Sequence, residues 1–479
     1  AEYFSFAADL PIARLPVGRN VKGGVRIKLR TTAGVKFDQL NLDKLPLYFS
    51  GGNEIAFKLH EFSLASPLGI LVGPAEKPWS WHHFLPGEHI QPIGYSDEEA
   101  LLPVTARGFQ GYRLMQEYFA FPQRFLFAEL SGLKNAFKRH AGEEIEIVLL
   151  FSRGDNQLEG QVDRNNFSLF CVPAINLFPK RADRIHVTEN SFEYHIVPDR
   201  ARPMDFEVHT VTGLTGFGVG NEFEQKFFPL YADFHMEERR HQAYYSVRRE
   251  PRLLSANQKK NGSRTSYVGS EVFIALVDPK EAPFPHDLRQ LSITTLCTNR
   301  DLPLLMPLNL GQTDFTLESA APIEAIRCAK GPSKPYSPLN DGAIAWRLIS
   351  HLSLNYLSLL NSDEHKGAAA LRDILELYAA STDVGIKTQV EGMRSVKVKP
   401  TTRRLPMKGP ITFGRGLEIE LEVDDLAFQG GSAFLFGSMM EQFFARYVSM
   451  NSFTETRLRT SMRGEVMRWV PRCGERAIL

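Results

Sequence analysis

The chain has 479 residues, of which 43% are hydrophobic and 23% are charged, a composition typical of a globular protein with a sizeable core. At about 150 residues per domain, this length suggests about three domains. The formal net charge is +1, so no overall field attracts nucleic acid or an anionic membrane surface.

The cysteines and the apolar runs narrow the class of protein further. Four cysteines (Cys171, Cys297, Cys328 and Cys473) lie far apart, which argues against a zinc knuckle or a redox dithiol and favours reduced thiols in a cytosolic protein. The sequence contains no run of about 18 apolar residues, so no membrane span is predicted. The opening residues, AEYFSFAADLP, lack the basic and apolar regions of a signal peptide. The sequence therefore predicts a cytoplasmic protein without direct membrane insertion.

Strands are predicted wherever hydrophobic and polar residues alternate. The predicted strands are bounded by Pro, Gly, Asp or Asn, residues that favour turns. In chain order they are Gly24–Arg30, Glu143–Phe151, Ser191–Pro198, Ala243–Glu250, Glu271–Asp278, Arg289–Thr298 and Gly416–Asp424.

Helices are predicted at four places, mostly in the last third of the chain. They are Gly111–Phe121, which Pro122 ends, Asp341–Leu360, Gly367–Ala380 and Ser432–Met450. The predicted fold class is therefore α+β: a β-rich multidomain protein with a more helical C-terminal third.

Loose segments set the predicted domain boundaries. Ser152–Arg164 is charged and has few apolar residues, Ser255–Ser266 is polar, and Gly331–Asp341 is rich in proline. We predict an N-terminal β-rich domain over residues 1–160, a central β-rich domain over 161–330 and a C-terminal α+β domain over 331–479.

The sequence contains none of the common catalytic or cofactor-binding motifs in complete form. GFGVGNE (Gly216–Glu222) has Asn221 where a dinucleotide fingerprint needs its third glycine. HMEERRH (His235–His241) separates its histidines by six residues, which does not align them on one helix face. Neither a P-loop nor a G-x-S-x-G elbow is present. We predict no catalytic, metal-binding or cofactor-binding residues and no cofactor.

Two charged stripes are more informative. In GLEIELEVD, Glu418, Glu420, Glu422 and Asp424 alternate with apolar residues, so one face of the strand is core and the other acidic. The neighbouring segments carry basic pairs of the same spacing: Lys397 with Lys399, and Arg457 with Arg459. Two alternatives remain open, cross-strand pairing within one sheet or a docking surface for a partner subunit. The apolar helix from Leu435 to Val448 is likewise either an interface or part of the core.

Eight long segments, in one order along the chain, resemble the TssF family (ImpG/VasA) of type VI secretion baseplate subunits. They are Phe109–Phe127, Phe170–Ile185, Glu193–Val208, Tyr267–Pro279, Asp287–Pro303, Trp346–Leu360, Phe413–Asp424 and Phe443–Thr456. The family typically has a further N-terminal helical region before the position of Ala1, which this sequence lacks.

The resemblance implies a structural role. Such subunits join TssG and further TssF copies in a baseplate wedge, to which TssE and TssK attach, around the VgrG spike hub. The wedge is similar to the wedge proteins of contractile phage baseplates, and it supports assembly and contraction of the sheath and tube at a baseplate docked on the inner membrane. The competing interpretation is a β-rich carbohydrate-active enzyme or binding module.

The segment TLCTNRDLP (Thr295–Pro303) looks at first like a catalytic loop. A buried Cys297 at a strand end is the favoured interpretation, since Cys–His chemistry needs an imidazole within hydrogen-bond reach and the sequence cannot place one there. We expect Asn299 and Asp301 to cap backbone N–H groups, and Arg300 to bond to a neighbouring loop or subunit. The predicted interface residues are therefore Glu418, Glu420, Glu422, Asp424, Arg457, Arg459 and Arg300.

Overall fold

The computed structural model describes residues 1–104, 108–188, 190–218, 224–230, 243–253, 264–277, 288–337, 364–378, 384–404 and 413–475. The chain forms two compact units: Ala1–Pro173 together with Trp346–Leu479, and Ala174–Ala345. The three domains predicted above, with boundaries near residues 160 and 330, stay predictions. The predicted helix Asp341–Leu360 and the pair His235 and His241 lie outside the described residues.

The N-terminal part of the first unit holds two antiparallel sheets and three helices. One sheet has the order β1-β2-β8-β4-β5 and the other β6-β7-β3-β9. The strands are β1 (Glu2–Phe4), β2 (Gly23–Arg30), β3 (Leu45–Phe49), β4 (Pro67–Pro74), β5 (His83–Pro86), β6 (Ile90–Pro92), β7 (Phe127–Leu130), β8 (Glu144–Phe151) and β9 (Phe167–Ser168). The helices are α1 (Asn53–Ala65), α2 (Gln110–Ala120) and α3 (Lys134–Phe137).

The predictions for this part are confirmed at β2, β8 and α2. Helix α2 ends at Ala120 because Pro122 has no N–H to continue the helical ladder. Strand β8 is a central strand between β2 and β4, so all but one of its residues are buried. Its apolar run Ile147–Phe151 is typical of a strand covered on both faces.

The described residues of the second unit contain one eight-stranded sheet. Seven strands follow the order β10-β17-β13-β14-β15-β16-β12, and β11 pairs with β17. The strands are β10 (Phe178–Arg181), β11 (Ile185–His186), β12 (Tyr194–His195), β13 (Glu207–Phe217), β14 (Glu224–Pro229), β15 (Tyr244–Pro251), β16 (Ser270–Val277) and β17 (Gln290–Thr298). The predicted strands at β15, β16 and β17 are confirmed.

The strand predicted over Ser191–Pro198 is mostly wrong, since the observed strand holds only Tyr194 and His195, beyond which Ile196 N–H still donates to the carbonyl of Val272 at 2.9 Å. Ser191 belongs instead to a local turn, in which its N–H donates to the carbonyl of Thr188 and its own carbonyl accepts from the Tyr194 hydroxyl. These bonds use the backbone groups that a longer ladder would need.

The C-terminal part of the first unit forms a sheet of order β18-β19-β20-β21, with β22 on β20. Its elements are α4 (Glu364–Tyr378), α5 (Val384–Glu391), β18 (Met393–Arg404), β19 (Phe413–Val423), α6 (Ala433–Tyr447), β20 (Phe453–Thr460), β21 (Gly464–Arg468) and β22 (Arg472–Cys473). Strands β19 and β20 are parallel, and α6 is the crossover between them. The predictions at α4, α6 and β19 are confirmed.

The core of the first unit is built from both ends of the chain. Phe443 of α6 contacts Phe109 with 5.9 Å between ring centroids, and Phe436 contacts Tyr118 at 6.0 Å. The two parts therefore share one hydrophobic cluster. The second unit has a separate cluster of its own. Among the helices of the described ranges, none combines the length and the apolarity that crossing a bilayer requires.

Candidate partner-interaction surface

The acidic stripe lies on β19, in the middle of the C-terminal sheet. Leu417 and Ile419 point into the core with their neighbours Leu421 and Val423, and all four are buried. The glutamates between them are only partly exposed. The predicted alternation of a core face and a charged face is therefore confirmed, and we call the charged side the outer face of the C-terminal sheet.

Both neighbouring strands bring basic residues to this outer face. Antiparallel β18 aligns lysines with the first two glutamates, and parallel β20 aligns arginines with the last two. The aligned pairs are Lys399 with Glu418, Lys397 with Glu420, Arg457 with Glu420, and Arg459 with Glu422. The acidic stripe is thus flanked by positive charge on both sides, which relieves the repulsion between its like charges.

The arginines of β20 reach one step along β19 to form ion pairs. Nη2 of Arg457 lies 3.0 Å from Oε1 of Glu418, and both side chains are 22% exposed. Nη1 of Arg459 lies 3.6 Å from Oε1 of Glu420, and the Arg459 side chain is 51% exposed. The last glutamate, Glu422, accepts from the Ser395 hydroxyl at 3.1 Å. Arg459 is therefore the loosest and most accessible member of the set.

Asp424 continues the alternation but ends the strand. Its Oδ1 accepts from the backbone N–H of Leu426 at 3.1 Å and so caps the short 3-10 helix Asp425–Phe428. Its Oδ2 accepts from Arg394 at 2.7 Å. The hydrogen bond from Arg394, followed by the bond from Leu426, lowers the pKa of the Asp424 carboxyl. Asp424 thus has a structural role within the chain.

A buried carboxylate on the outer face was missed by the sequence analysis. Glu455 of β20 lies opposite Glu418, and its side chain is only 3% exposed. Nε of Arg403 lies 2.6 Å from its Oε2, and Nε of Arg468 donates to its Oε1 at 2.5 Å. The alternation of Glu455 with Arg457 was a signal that could have predicted it.

The charges of the outer face nearly cancel. Six basic side chains stand against five carboxylates, as the strand registers align them. The basic residues are Lys397, Lys399, Arg403, Arg457, Arg459 and Arg468, and the acidic ones are Glu418, Glu420, Glu422, Glu455 and Glu465. Cross-strand pairing within the sheet is therefore present, whereas partner docking on this face stays a prediction.

Helix α6 lies in the core of the first unit. Residues Ala433 to Arg446 are all buried, and the Ser432 hydroxyl caps the helix by accepting from Leu435 N–H at 3.1 Å. For the helix segment from Leu435 to Val448, burial in the core is therefore the correct alternative. Because this helix has no exposed face, its polar side chains need partners within the protein. Oε1 of Glu441, for example, lies 2.7 Å from Nε of Arg472.

Arg300 lies at a tight turn after β17 and bonds to loops of its own unit. Its φ is 57°, and its side chain is only 2% exposed. The guanidinium donates from Nη1 to the carbonyl of Met204 at 3.3 Å and from Nη2 to that of Val268 at 2.9 Å. It also lies 5.5 Å from the ring centroid of Tyr267 and 4.0 Å from a Glu207 oxygen. Arg300 was expected to bond either to a neighbouring loop or to another subunit, and the structure shows bonds to neighbouring loops.

The expected cap by Asp301 is wrong. Its carboxylate turns away from the 3-10 helix Leu302–Leu305 and accepts from Arg264 at 2.6 Å and from the Thr265 hydroxyl at 2.5 Å. Burial raises the pKa of Asp301, but these hydrogen bonds outweigh it and hold the pKa at about 2. The Asn299 side chain likewise bonds to distant residues: its Oδ1 accepts from Nδ2 of Asn176, and its Nδ2 donates to the carbonyl of Asp205, each at 3.3 Å.

Cys297 is buried at the end of β17, as expected. Its thiol lies 3.1 Å from the Thr295 hydroxyl, and burial raises the thiol pKa. A raised pKa keeps the sulfur protonated, which is the opposite of what a nucleophile needs. Within the described ranges, no group of three or more His, Cys, Asp or Glu side chains is arranged to hold a metal ion.

Comparisons with known proteins identify related chains. The family model "Type VI secretion system, TssF" matches residues 1–476. The chain is 52% identical over 478 residues to the type VI secretion system component TssF1 of Pseudomonas aeruginosa. This match covers 99% of this chain and 76% of that protein.

Two solved structures share the fold. A chain of the TssK–TssF–TssG baseplate subcomplex, determined by cryo-electron microscopy, matches with a TM-score of 0.69 and 23% identity, over 95% of this chain and 79% of that one. A chain of the type VI secretion baseplate complex matches with a TM-score of 0.55 and 23% identity, over 93% and 72%.

Proposed function

The chain belongs to the TssF family of the type VI secretion system, and on that premise we propose that it takes the TssF position in a baseplate wedge, bound to TssG and TssK. Family membership makes it a structural baseplate component and not an enzyme, so the carbohydrate-active enzyme considered above is wrong. The observation that carries the proposal is the 52% identity to TssF1 over 478 residues. The fold shared with a chain of a TssK–TssF–TssG subcomplex supports the choice of partners.

The proposal extends to the rest of the machine. The wedge would also contact TssE, further TssF copies and the VgrG hub, and would support sheath and tube assembly as the wedges of contractile phages do. The proposed location is the cytoplasm, at a baseplate docked on the inner membrane. Support for these finer statements comes from the family resemblance.

The experiment that tests the proposal is co-purification with TssG and TssK of the same bacterium, followed by light scattering to determine mass. We expect a stable complex that holds more than one copy of this chain per TssG. A chain that stays monomeric when both partners are present would overturn the proposal.

We further propose that the outer face of the C-terminal sheet contacts a partner subunit, with the exposed Arg459 among the contacting residues. The Arg459 side chain is 51% exposed, and its distance of 3.6 Å to Glu420 leaves the guanidinium able to bond elsewhere. Arginine is enriched at interfaces because its planar group donates several hydrogen bonds at once. Arg300 would contribute only indirectly, through the loops that it holds.

A charge swap distinguishes partner docking from internal pairing. Arg459→Glu places two like charges together, so we expect it to weaken both the sheet and the complex. Adding Glu420→Arg restores an ion pair within the sheet. If the double variant folds with parental stability yet binds TssG and TssK at least about tenfold more weakly, the face is a docking surface. Recovery of parental binding would assign the pair to the sheet alone.

A further inference from the structure

A long segment of the second unit carries large apolar side chains on its surface. Residues 306–337 contain no helix or strand, and none of them is buried. Four large apolar side chains of this segment are 45% to 82% exposed: Leu310, Phe315, Leu317 and Ile323. Disordered linkers are poor in such residues, and an ordered loop of this length without regular structure is usually functional. The composition therefore indicates a binding loop rather than a linker.

Local hydrogen bonds close residues 313–328 into a defined loop, which we call the 313–328 loop. The N–H of Asp314 donates to the carbonyl of Ile326 at 2.8 Å. The Asp314 carboxylate accepts from the N–H of Cys328 at 2.8 Å and from that of Asn309 at 2.7 Å, and these two bonds lower its pKa. Because the base of the loop is fixed, its apolar side chains lose less conformational freedom on binding than those of an open coil would.

The 313–328 loop is acidic as well as apolar. It contains three carboxylates, Asp314, Glu318 and Glu324, and one basic residue, Arg327, whose charge acts on Asp314 at the base. Glu318 and Glu324 are exposed, and neither forms an ion pair with another residue of the described ranges. Nucleic acids and anionic membranes repel free carboxylates. The loop therefore fits a protein surface that is both apolar and basic.

Such a surface occurs on the first unit, at the end of the long pair of strands β18 and β19. The two strands stay paired as far as Arg404 and Phe413, whereas β20 joins β19 only from Leu417 onwards. We call the part beyond β20, residues 401–404 and 413–416, the hairpin end. The sequence contains no Asp or Glu from Lys399 to Leu417, so the hairpin end is purely basic.

Two arginines and an aromatic ring share one face of the hairpin end. Arg404 lies directly opposite Phe413, and Arg415 follows Phe413 by two residues on β19, so all three side chains point to the same side. Phe413 is 70% exposed, and both arginines are exposed. Neither arginine forms an ion pair with a described carboxylate, whereas Arg403 on the opposite face is engaged by Glu455. This face thus offers two free guanidinium groups beside an aromatic ring.

We propose that the 313–328 loop of one copy of this chain binds the hairpin end of a second copy, an inference that rests on the proposed presence of more than one copy in the wedge. The two free carboxylates of the loop bond to the two free guanidinium groups, and Phe413 packs among the apolar side chains of the loop. Arginine–carboxylate pairs and buried aromatic rings are the groups that contribute most at protein interfaces.

Site-specific photocross-linking tests the contact directly. Leu317 is replaced by the photoreactive residue benzoylphenylalanine in the full chain, which is co-purified with TssG and TssK and irradiated. We expect a product of twice the mass of the chain, in which mass spectrometry maps the link to residues 401–404 or 413–416. Products linked only to TssG or TssK, or only within one chain, would overturn the proposal.

Charge reversal provides the quantitative test. The variant E318R/E324R, carrying the same photoreactive residue, should give at least about tenfold less of the double-mass product. Mixing it with R404E/R415E should restore the product, because the arginine loop of one copy then meets the glutamate hairpin end of the other. The matched control is E76R/E98R, which makes the same charge change at exposed glutamates and should leave the yield unchanged. Circular dichroism verifies that the variants fold.

The outcomes separate the two proposals. A complex with TssG and TssK in which the loop variant and the control give equal yields would overturn the loop contact while leaving the baseplate function intact. A parent chain that forms no complex at all would overturn the baseplate function, and the contact between copies with it.

Discussion

Substitution of Arg124 by methionine should destabilise the first unit strongly. Arg124 follows α2, its side chain is fully buried, and it forms an ion pair with Glu117 of that helix. Its Nη2 also donates to the carbonyls of Gly94 and Glu99, each at 2.8 Å. The guanidinium lies 4.5 Å from the ring centroid of Phe125.

The magnitude follows from what methionine leaves unpaired. Methionine fills much of the space but cannot donate, so the two carbonyls lose a partner at a cost of about 1–3 kcal/mol each. Glu117 keeps Arg113 at 3.1 Å and the N–H groups of Leu101 and Leu102, which limits the loss from the carboxylate. Breaking a buried ion pair costs about 3–5 kcal/mol. We therefore expect the free energy of unfolding to fall by about 3–4 kcal/mol.

Urea unfolding followed by tryptophan fluorescence measures this loss. The segment Ala174–Ala345, which forms the second unit, contains no tryptophan, so the fluorescence does not report on that unit. The control is Arg30→Met, since Arg30 is 73% exposed and its 3.8 Å contact with Glu144 should contribute less than about 1 kcal/mol. A loss at Arg124 no larger than that at Arg30 would refute the reasoning.

Three further predictions concern other sites. Burial lowers the pKa of His60 to about 3, so the unfolded chain takes up the proton first as the pH falls. Between about pH 6.5 and 3 the first unit should lose up to about 1.4 kcal/mol per pH unit, and urea titrations of His60→Leu at pH 7 and 5 should show a shallower loss. The lowered pKa of Asp301 contributes about 2 kcal/mol to the second unit above about pH 4, which is lost as the pH falls through about 2. Asp301→Asn should therefore speed hydrogen exchange of the strand Gln290–Thr298 at pH 7, and unchanged exchange would contradict this. Gly416→Ala would put a Cβ 2.5 Å from the carbonyl oxygen of Phe453, so we expect a loss of about 1–3 kcal/mol in urea unfolding, and a neutral result would mean that β20 can shift.

Local patterns predicted most of the described elements, because their signals lie within a few residues. Helix α2 shows this, since Pro122 alone sets its end. The alternation in Gly416–Asp424 likewise predicted which side of β19 faces the core. Where the backbone had another local partner, the pattern misled, as at Ser191, where a turn lies at the predicted start of the strand Ser191–Pro198.

Pairing between distant segments could not be predicted from the sequence. The acidic stripe has basic stripes on both sides, and only the folded structure shows that Arg457, which the parallel register aligns with Glu420, bonds to Glu418. The same limit applies to Asp301, whose partners Arg264 and Thr265 lie more than 30 residues earlier in the chain. A short polar side chain at a turn predicts a local cap, but a guanidinium from elsewhere in the fold competes for the same oxygens.

The first unit is built from two segments that lie far apart in the sequence, and this affects how it folds during biosynthesis. Its N-terminal segment, Ala1–Pro173, leaves the ribosome first, but the aromatic side chains of α6 that complete its core come from residues after 432. The 274 residues from Ala174 to the end of α6 at Tyr447 take about 14–55 s to synthesise at about 5–20 residues per second. For that interval Phe109, Tyr118 and the surrounding apolar surface have no native cover, so the nascent chain is a natural client for a holdase chaperone. The second unit, whose segment is contiguous, is free to fold as soon as it emerges.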